Sequence, residues 1–227
     1  MKTANASVSL RVFARLLSYP DAELRSQLSD MRAALRAESA VPASRLVELE
    51  TLISNLSTGE LLETEAAYVE LFDRGRATSL HLFEHVHGDS RDRGPAMIDL
   101  AQTYEKAGLF LAPSELPDYL PVVLEFASTQ PAREAAGFLG EIAHLINVIF
   151  NALEKRESRY ASVMGALLDL AGEPARPVQL PDEESIDEAW EEPAAFDGCH
   201  SSGQERPGEA KPVHIVRRPA GSDPQRS

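Results

Sequence analysis

An all-α fold, a single-domain bundle of about eight helices, is what this 227-residue sequence predicts. Three observations carry the prediction. Apolar residues recur every three or four positions through most of residues 8–168, the period of a half-buried helix. The periodic segments are bounded by Pro, Gly and capping residues where helices start and stop. No stretch alternates apolar and polar residues beside a second such stretch. The run Val122 to Leu124 could be a strand, but no partner strand is visible.

The elements follow in order. Val8, Val12, Phe13, Leu16 and Leu17 form the first stripe, which Pro20 ends because its ring cannot continue a helix. Asp21 can cap the second helix by accepting from first-turn N–H groups. Leu24, Leu28, Met31 and Leu35 form that helix's stripe, and Val41 with Pro42 interrupts it. The third helix shows Leu46, Leu49, Ile53 and Leu56, with Thr58 and Gly59 at its end. Thr58 can cap the fourth, where Leu61, Thr64 or Glu65, Tyr68, Leu71 and Phe72 share a face. Asp73-Arg74-Gly75-Arg76 breaks the pattern, and Ser79 to Val86 reads as a short helix. Gly88, Gly94 and Pro95 bracket a polar loop. Pro95 suits the first position of a fifth helix, with Met97, Leu100, Ala101 and Tyr104 as its stripe and Gly108 as its cap. Ser114 opens a segment with Pro117 and Pro121. It is either a helix begun near Pro117 and bent at Pro121, or a loop followed by a helix. Leu139, Ile142, Ile146, Ile149 and Leu153 mark a long helix from Ala132 to about Glu154. Ser158 can cap a last helix carrying Tyr160, Val163, Met164, Leu167 and Leu168, which Gly172 and Pro174 stop.

The composition changes after residue 171. The last 56 residues hold eight of the fifteen prolines, with twelve acidic and six basic side chains. Sparse, unpatterned apolar residues cannot offset the entropy of ordering such a chain. The expected organisation is therefore a helical domain over 1–171 and a disordered, acidic, Pro-rich tail over 172–227.

A net charge of −14 argues against nucleic acid, whose phosphates need a basic face. It also argues against stable association with anionic membrane surfaces, and favours basic partners. Cys199 is the single cysteine, so an internal disulfide is impossible and a cysteine zinc site is not expected. The first residues lack an apolar run of signal-peptide length, and no segment approaches the roughly 20 apolar residues that span a bilayer. The cytoplasm is the expected compartment.

Residues 65–93 are the densest in hydrogen-bonding groups: His81, His85 and His87, with Arg74, Arg76, Arg91 and Arg93 among six acids. Two histidines four apart can form half of a zinc site. Here the string is HLFEH, with no glutamate beside the first histidine, and neither Glu84 nor His87 shares the face cleanly. The pair is read as surface or groove histidines making hydrogen bonds; a metal-dependent enzyme centred on His81 and His85 is the alternative. Cys199 and His200 lie in the tail, where no fixed nucleophile–base geometry is possible. No GxSxG and no phosphate-binding glycine loop occurs. No catalytic residue, metal ligand or cofactor is assigned. Glu65, Tyr68 and Phe72 set a carboxylate, an amphipathic ring and an apolar ring on one helical face. Asp118, Tyr119, Glu125 and Phe126 repeat the mixture, though Tyr68, Phe72 and Phe126 can also be core, the reading favoured for Phe72 and Phe126. An apolar groove with acidic rims suits a basic amphipathic helix.

These residues carry a family resemblance. The run YVELFDRGRATSLHLFEHVHGDSRDRG, then AMIDLAQTYEKAGL and LPDYLPVVLEF, resembles the nitrate reductase assembly chaperones of the NarJ type, also called delta subunits. They belong with the wider TorD-like chaperones of molybdoenzymes. The resemblance covers about Ser9 to Leu170. It implies an all-helical, non-enzymatic protein. Its partner would be the apo catalytic (alpha) subunit of respiratory nitrate reductase, bound through that subunit's N-terminal peptide. The chaperone would hold its client competent for molybdenum cofactor insertion. The family's acid-to-aromatic motif falls on Glu65, Tyr68, Leu71 and Phe72, and its proline-aspartate motif on Pro117, Asp118, Tyr119, Glu125 and Phe126. Where many wider-family members have a histidine after the aspartate, this chain has Tyr119. A peptide-binding surface is accordingly expected on Glu65, Tyr68, Leu71, Phe72, His81, Glu84, His85, Asp118, Tyr119 and Glu125.

Overall fold

A computed structural model of the chain describes residues 5–86, 90–113 and 115–178. His87, Asp89, Ser114, Cys199 and His200 lie outside them, as does most of the expected tail. The described residues form nine α-helices and one 3₁₀ turn. The helices are α1 (Ser7–Leu16), α2 (Ala22–Glu38), α3 (Ala43–Thr58), α4 (Leu61–Phe72) and α5 (Leu82–Val86), then α6 (Arg93–Lys106), α7 (Leu120–Thr129), α8 (Ala132–Lys155) and α9 (Ala161–Ala171). The turn is Arg76–Thr78. No strand occurs among these residues. The all-α expectation holds, and Val123 and Leu124 are helical and buried.

The local chemistry accounts for most boundaries. Asp21 caps α2, its Oδ1 accepting from the Leu24 amide at 2.7 Å. Gly172 closes α9 with φ of 76°, a left-handed conformation that costs glycine little. Thr58 does not cap α4: it stays inside α3, its hydroxyl donating to the Ser54 carbonyl at 3.0 Å. α6 begins at Arg93, two residues before Pro95. This is permissible because no N–H in a helix's first turn has an intrahelical acceptor. Pro121 sits in the first turn of α7, so the loop-then-helix alternative is the one adopted.

The core is assembled by α8 packed along α9, α1 against α7 and α2, and α3 against both α2 and α9. α9 is buried on all sides from Ala161 to Leu168. Phe13, Ile146, Ile149 and Leu167 are fully enclosed. Contrary to expectation, one segment does have the length and composition to cross a bilayer: α8. It is an amphipathic core helix instead. Leu139, Ile146, Ile149 and Leu153 are buried, while Arg133, Glu134, Glu141, Glu154 and Lys155 are exposed. Beyond α9 the backbone is tied back to α8. Asn147 and Asn151 each donate to the Arg176 carbonyl at 2.9 Å, and the Arg176 amide donates to Asn147 Oδ1 at 2.9 Å. α6 is the loosest element, with Tyr104 its one buried residue.

Truncating the enclosed Phe13 to alanine is expected to destabilise the fold by about 3–5 kcal/mol, through lost burial and the cavity left behind. Val47→Ala, at a position 64% exposed, should change stability by less than about 0.5 kcal/mol. Urea unfolding followed by circular dichroism checks both.

Candidate functional site

Two loops meet at the centre of the site. The Leu120 amide donates to the Leu80 carbonyl at 2.8 Å, and the Leu82 amide to the Asp118 carbonyl at 3.0 Å. The pair forms an isolated antiparallel bridge between His81 and Tyr119. It joins the histidine-bearing segment before α5 to the proline-aspartate segment before α7. The His81 and Tyr119 rings lie 5.2 Å apart at 31°.

Asp118 sits beneath this junction and is fully buried. A buried carboxylate is costly unless hydrogen-bonded and paired. Here Oδ2 accepts from the Phe83 amide at 3.2 Å. His81 Nδ1 stands 3.5 Å from Oδ1, and Arg93 Nη2 stands 3.7 Å from Oδ2. Arg93 also reaches Glu84 at 3.5 Å. Next to Asp118, the Pro117 carbonyl accepts from the Tyr104 hydroxyl at 2.8 Å. Asp118 therefore ties the starts of α5, α6 and α7 together. The contact with its carboxylate lifts the His81 imidazole above its ordinary value of 6.5, and partial burial only opposes this.

Behind the bridge lies an aromatic cluster. Tyr68 packs on Phe72 at 4.8 Å, and Phe72 on Tyr160 at 5.0 Å. The Tyr68 hydroxyl donates to the Leu17 carbonyl at 2.7 Å and lies 3.3 Å from the Tyr119 hydroxyl. Burial pushes the Tyr68 and Tyr104 hydroxyls well above the ordinary phenol range, so both are neutral hydrogen-bonding groups.

Among the described residues, two cavities open beside this junction and along α4. The first, about 450 Å³, is lined by residues 72–76, Ser79, His81, Glu84 and Arg93. The second, about 410 Å³, lies along α4 between Tyr19, Leu62, Glu65, Val69, Glu70 and Arg74. Arg74 is a wall of both and pairs with Glu70 at 2.9 Å. Gly75 is required at the turn between them. A Cβ there would collide with Thr78 Oγ1 and come within 3.0 Å of the Arg156 guanidinium.

The residues expected to form one groove are thus distributed over several places. His81 and Glu84 line the first cavity, and Glu65 the second. Tyr68 and Phe72 are each only 5% exposed and belong to the core. Leu71 is half-buried against that core. Tyr119 is half-buried, and Glu125 is exposed on α7 outside both cavities. Asp118 is an internal anchor rather than an acidic rim, because its charge is met from within. His81 and His85 do not share a helical face, since α5 begins only at Leu82. His85 Nε2 donates to the Ser79 carbonyl at 2.8 Å instead. Among the described residues no group of three or more His, Cys, Asp and Glu is gathered as for a metal ion. Sequence reasoning did not assign Tyr19, Leu62, Arg74, Arg76 or Arg93. The arginines were noticeable as a cluster, whereas Tyr19 and Leu62 carry no local signal.

With the architecture in view, the chain can be placed among known proteins. Its fold is shared with the crystal structure of a putative redox enzyme maturation protein from Archaeoglobus fulgidus, at a TM-score of 0.51. That match covers 74% of this chain and 94% of the other at 21% identity, so the likeness is one of architecture. Residues 21–164 match the profile of the nitrate reductase delta subunit family. Over 164 residues the chain is 46% identical to the nitrate reductase molybdenum cofactor assembly chaperone NarJ of Escherichia coli strain K12, covering 72% of this chain and 70% of that protein. It is 42% identical over 163 residues to the probable assembly chaperone NarW of the same strain, covering 72% and 68%. The chain belongs to the nitrate reductase delta subunit family, as its central motifs had implied.

The His81–Asp118 pair generates a pH prediction. His81 holds its proton to higher pH in the folded chain than in the unfolded one. The stabilisation from the pair is therefore full below the ordinary value of 6.5 and is lost as pH rises through the raised value. Titration of the His81 ring by NMR should place its pKa above 6.5 in the wild type and at or below it in Asp118→Asn.

Proposed function

We propose that this chain is the assembly chaperone of a respiratory nitrate reductase, acting in the cytoplasm as a binding protein rather than as an enzyme. It binds the apo catalytic subunit through that subunit's N-terminal segment. It keeps the client competent for molybdenum cofactor insertion, without stable attachment to a membrane. The observation that carries this reading is the 46% identity to a protein named as such a chaperone, over 70% of that protein's length. The binding role is assigned to residues 1–171, with the acidic, Pro-rich stretch from 172 standing apart from it.

The α4 cleft supports the choice of client segment. Leu62 is 79% exposed and Tyr19 44%, and Glu65 and Glu70 flank them. An amphipathic client helix would lay its apolar side on Leu62, Val69 and Tyr19 and its basic side toward the two carboxylates. Burying each apolar client side chain contributes about 1.5–3 kcal/mol. Ordering the peptide and losing its free motion offset much of that. A net affinity that still permits release is what an assembly factor needs. His81 and Glu84 line the neighbouring cavity, which shares Arg74 with this cleft, and with Tyr119 would act on a longer client segment. Tyr68, Phe72 and Asp118 would act by holding the walls in place.

Calorimetric titration of the full chain with a peptide of the client's N-terminal segment checks this. The wild type should bind with micromolar or tighter affinity. Leu62→Glu and Glu65→Lys should each weaken binding by about tenfold or more, roughly 1.4 kcal/mol, with an unchanged circular dichroism spectrum. An equal loss on Glu125→Lys would extend the surface to α7. No binding by the wild type, or full affinity in both α4 variants, would sink the assignment.

A further inference from the structure

We propose that the cavity walled by Arg74, Arg76 and Arg93 is an anion site that takes a small phosphate monoester. Its position is unusual for this molecule. The chain carries 36 acidic against 22 basic residues, yet here three guanidinium groups from three separate segments converge. Arg74 follows α4, Arg76 opens the 3₁₀ turn and Arg93 starts α6. The carboxylates on the same wall are Asp73 and Glu84, so three guanidinium groups face two carboxylates across the cavity.

Two of the arginines have internal pairs, yet all three keep donors beyond them. Arg93 approaches Glu84 and Asp118 only at 3.5 and 3.7 Å, through a single Nη2, leaving most of its five donors. Arg74 uses one Nη1 on Glu70 and is 62% exposed. Arg76 has no carboxylate partner among the described residues. Ser79 adds a neutral donor: it is 4% exposed and its oxygen accepts from the His81 amide at 3.2 Å. Its own hydroxyl hydrogen has no acceptor among the described residues. His81 commits Nδ1 to Asp118, which leaves Nε2 as the ring atom available to the cavity.

The chemistry of the walls selects the ligand class. Guanidinium groups arriving from separate directions match the several oxygens of a tetrahedral dianion better than the two of a carboxylate. A cavity of about 450 Å³ exceeds what a bare phosphate ion needs. It falls within the range of small-molecule sites, and Phe72 supplies an apolar wall for the organic part of an ester. Long polyanions are disfavoured because the surrounding surface is acidic. The site shares Arg74 with the α4 cleft, but the test below uses no client peptide, so its failure and that of the client-binding reading are distinguishable.

The test uses the full chain at neutral pH, titrated calorimetrically with inorganic phosphate and with phenyl phosphate, against sodium chloride at matched ionic strength. Saturable one-site binding at or below about 1 mM is expected, with phenyl phosphate the tighter of the two. Arg76→Gln, at an exposed position, should weaken it by about tenfold, as should Arg93→Gln. Arg133→Gln on α8 should leave it unchanged, and circular dichroism should show all three variants folded. Heat reproduced by chloride, equal affinity in Arg76→Gln and wild type, or equal loss in Arg133→Gln would each overturn the proposal.

Discussion

The Asp118 carboxylate is the constraint around which this end of the molecule is arranged. It is removed from water completely, and a lone ion in that position would cost several kcal/mol. The cost is offset only if a backbone amide, an imidazole and a guanidinium are brought to it, all from segments distant in the chain. Phe83 supplies the amide, His81 the imidazole and Arg93 the guanidinium. Satisfying one acid therefore sets the positions of the His81 loop, the start of α6 and the loop before α7. The Leu80–Leu120 and Asp118–Leu82 backbone bonds lock the same junction from the other side.

The two cavities inherit their characters from this junction and from α4. The first gathers three arginines because Arg93 is drawn in toward Asp118 while Arg74 and Arg76 lie on the segment after α4. The second is acidic and apolar because α4 turns Glu65, Val69 and Glu70 outward. The same helix turns Tyr68 and Phe72 into the core. Arg74 stands between them, bonded to Glu70. A basic group arriving at Glu70 would compete with Arg74 for that carboxylate.

Much of this was legible in the residues. The stripes on α1, α2, α3, α8 and α9 were readable because three- and four-residue spacing survives wherever a helix has one buried side. The Asp21 cap and the Gly172 stop were readable because they act within one turn of themselves. Asp118, His81 and Tyr119 could be named as special, and the family could be recognised from the runs that hold them. Their roles could not. The assumption that His81 and His85 share a helical face failed because His81 pairs with Tyr119 instead of joining α5. Tyr68 lies three residues after Glu65 on α4 and Phe72 four further on, so by spacing the two rings fit a groove wall or the core equally. The structure buries them because Tyr160 and Leu17 arrive from elsewhere to cover them.

What the sequence by itself determined is the set of interactions closed within a helix turn or two: the periodic stripes, the stops, the absence of alternating strands and the acidic balance of the chain. These depend on neighbours a few residues away, so a linear reading contains all the partners. Only the tertiary structure decided which polar groups became internal. Asp118 finds its partners 25 to 37 residues away in the chain, and Tyr68 finds the Leu17 carbonyl 51 residues away. Whether an acid forms a rim or an anchor depends on which distant donors reach it, and chain spacing does not encode that.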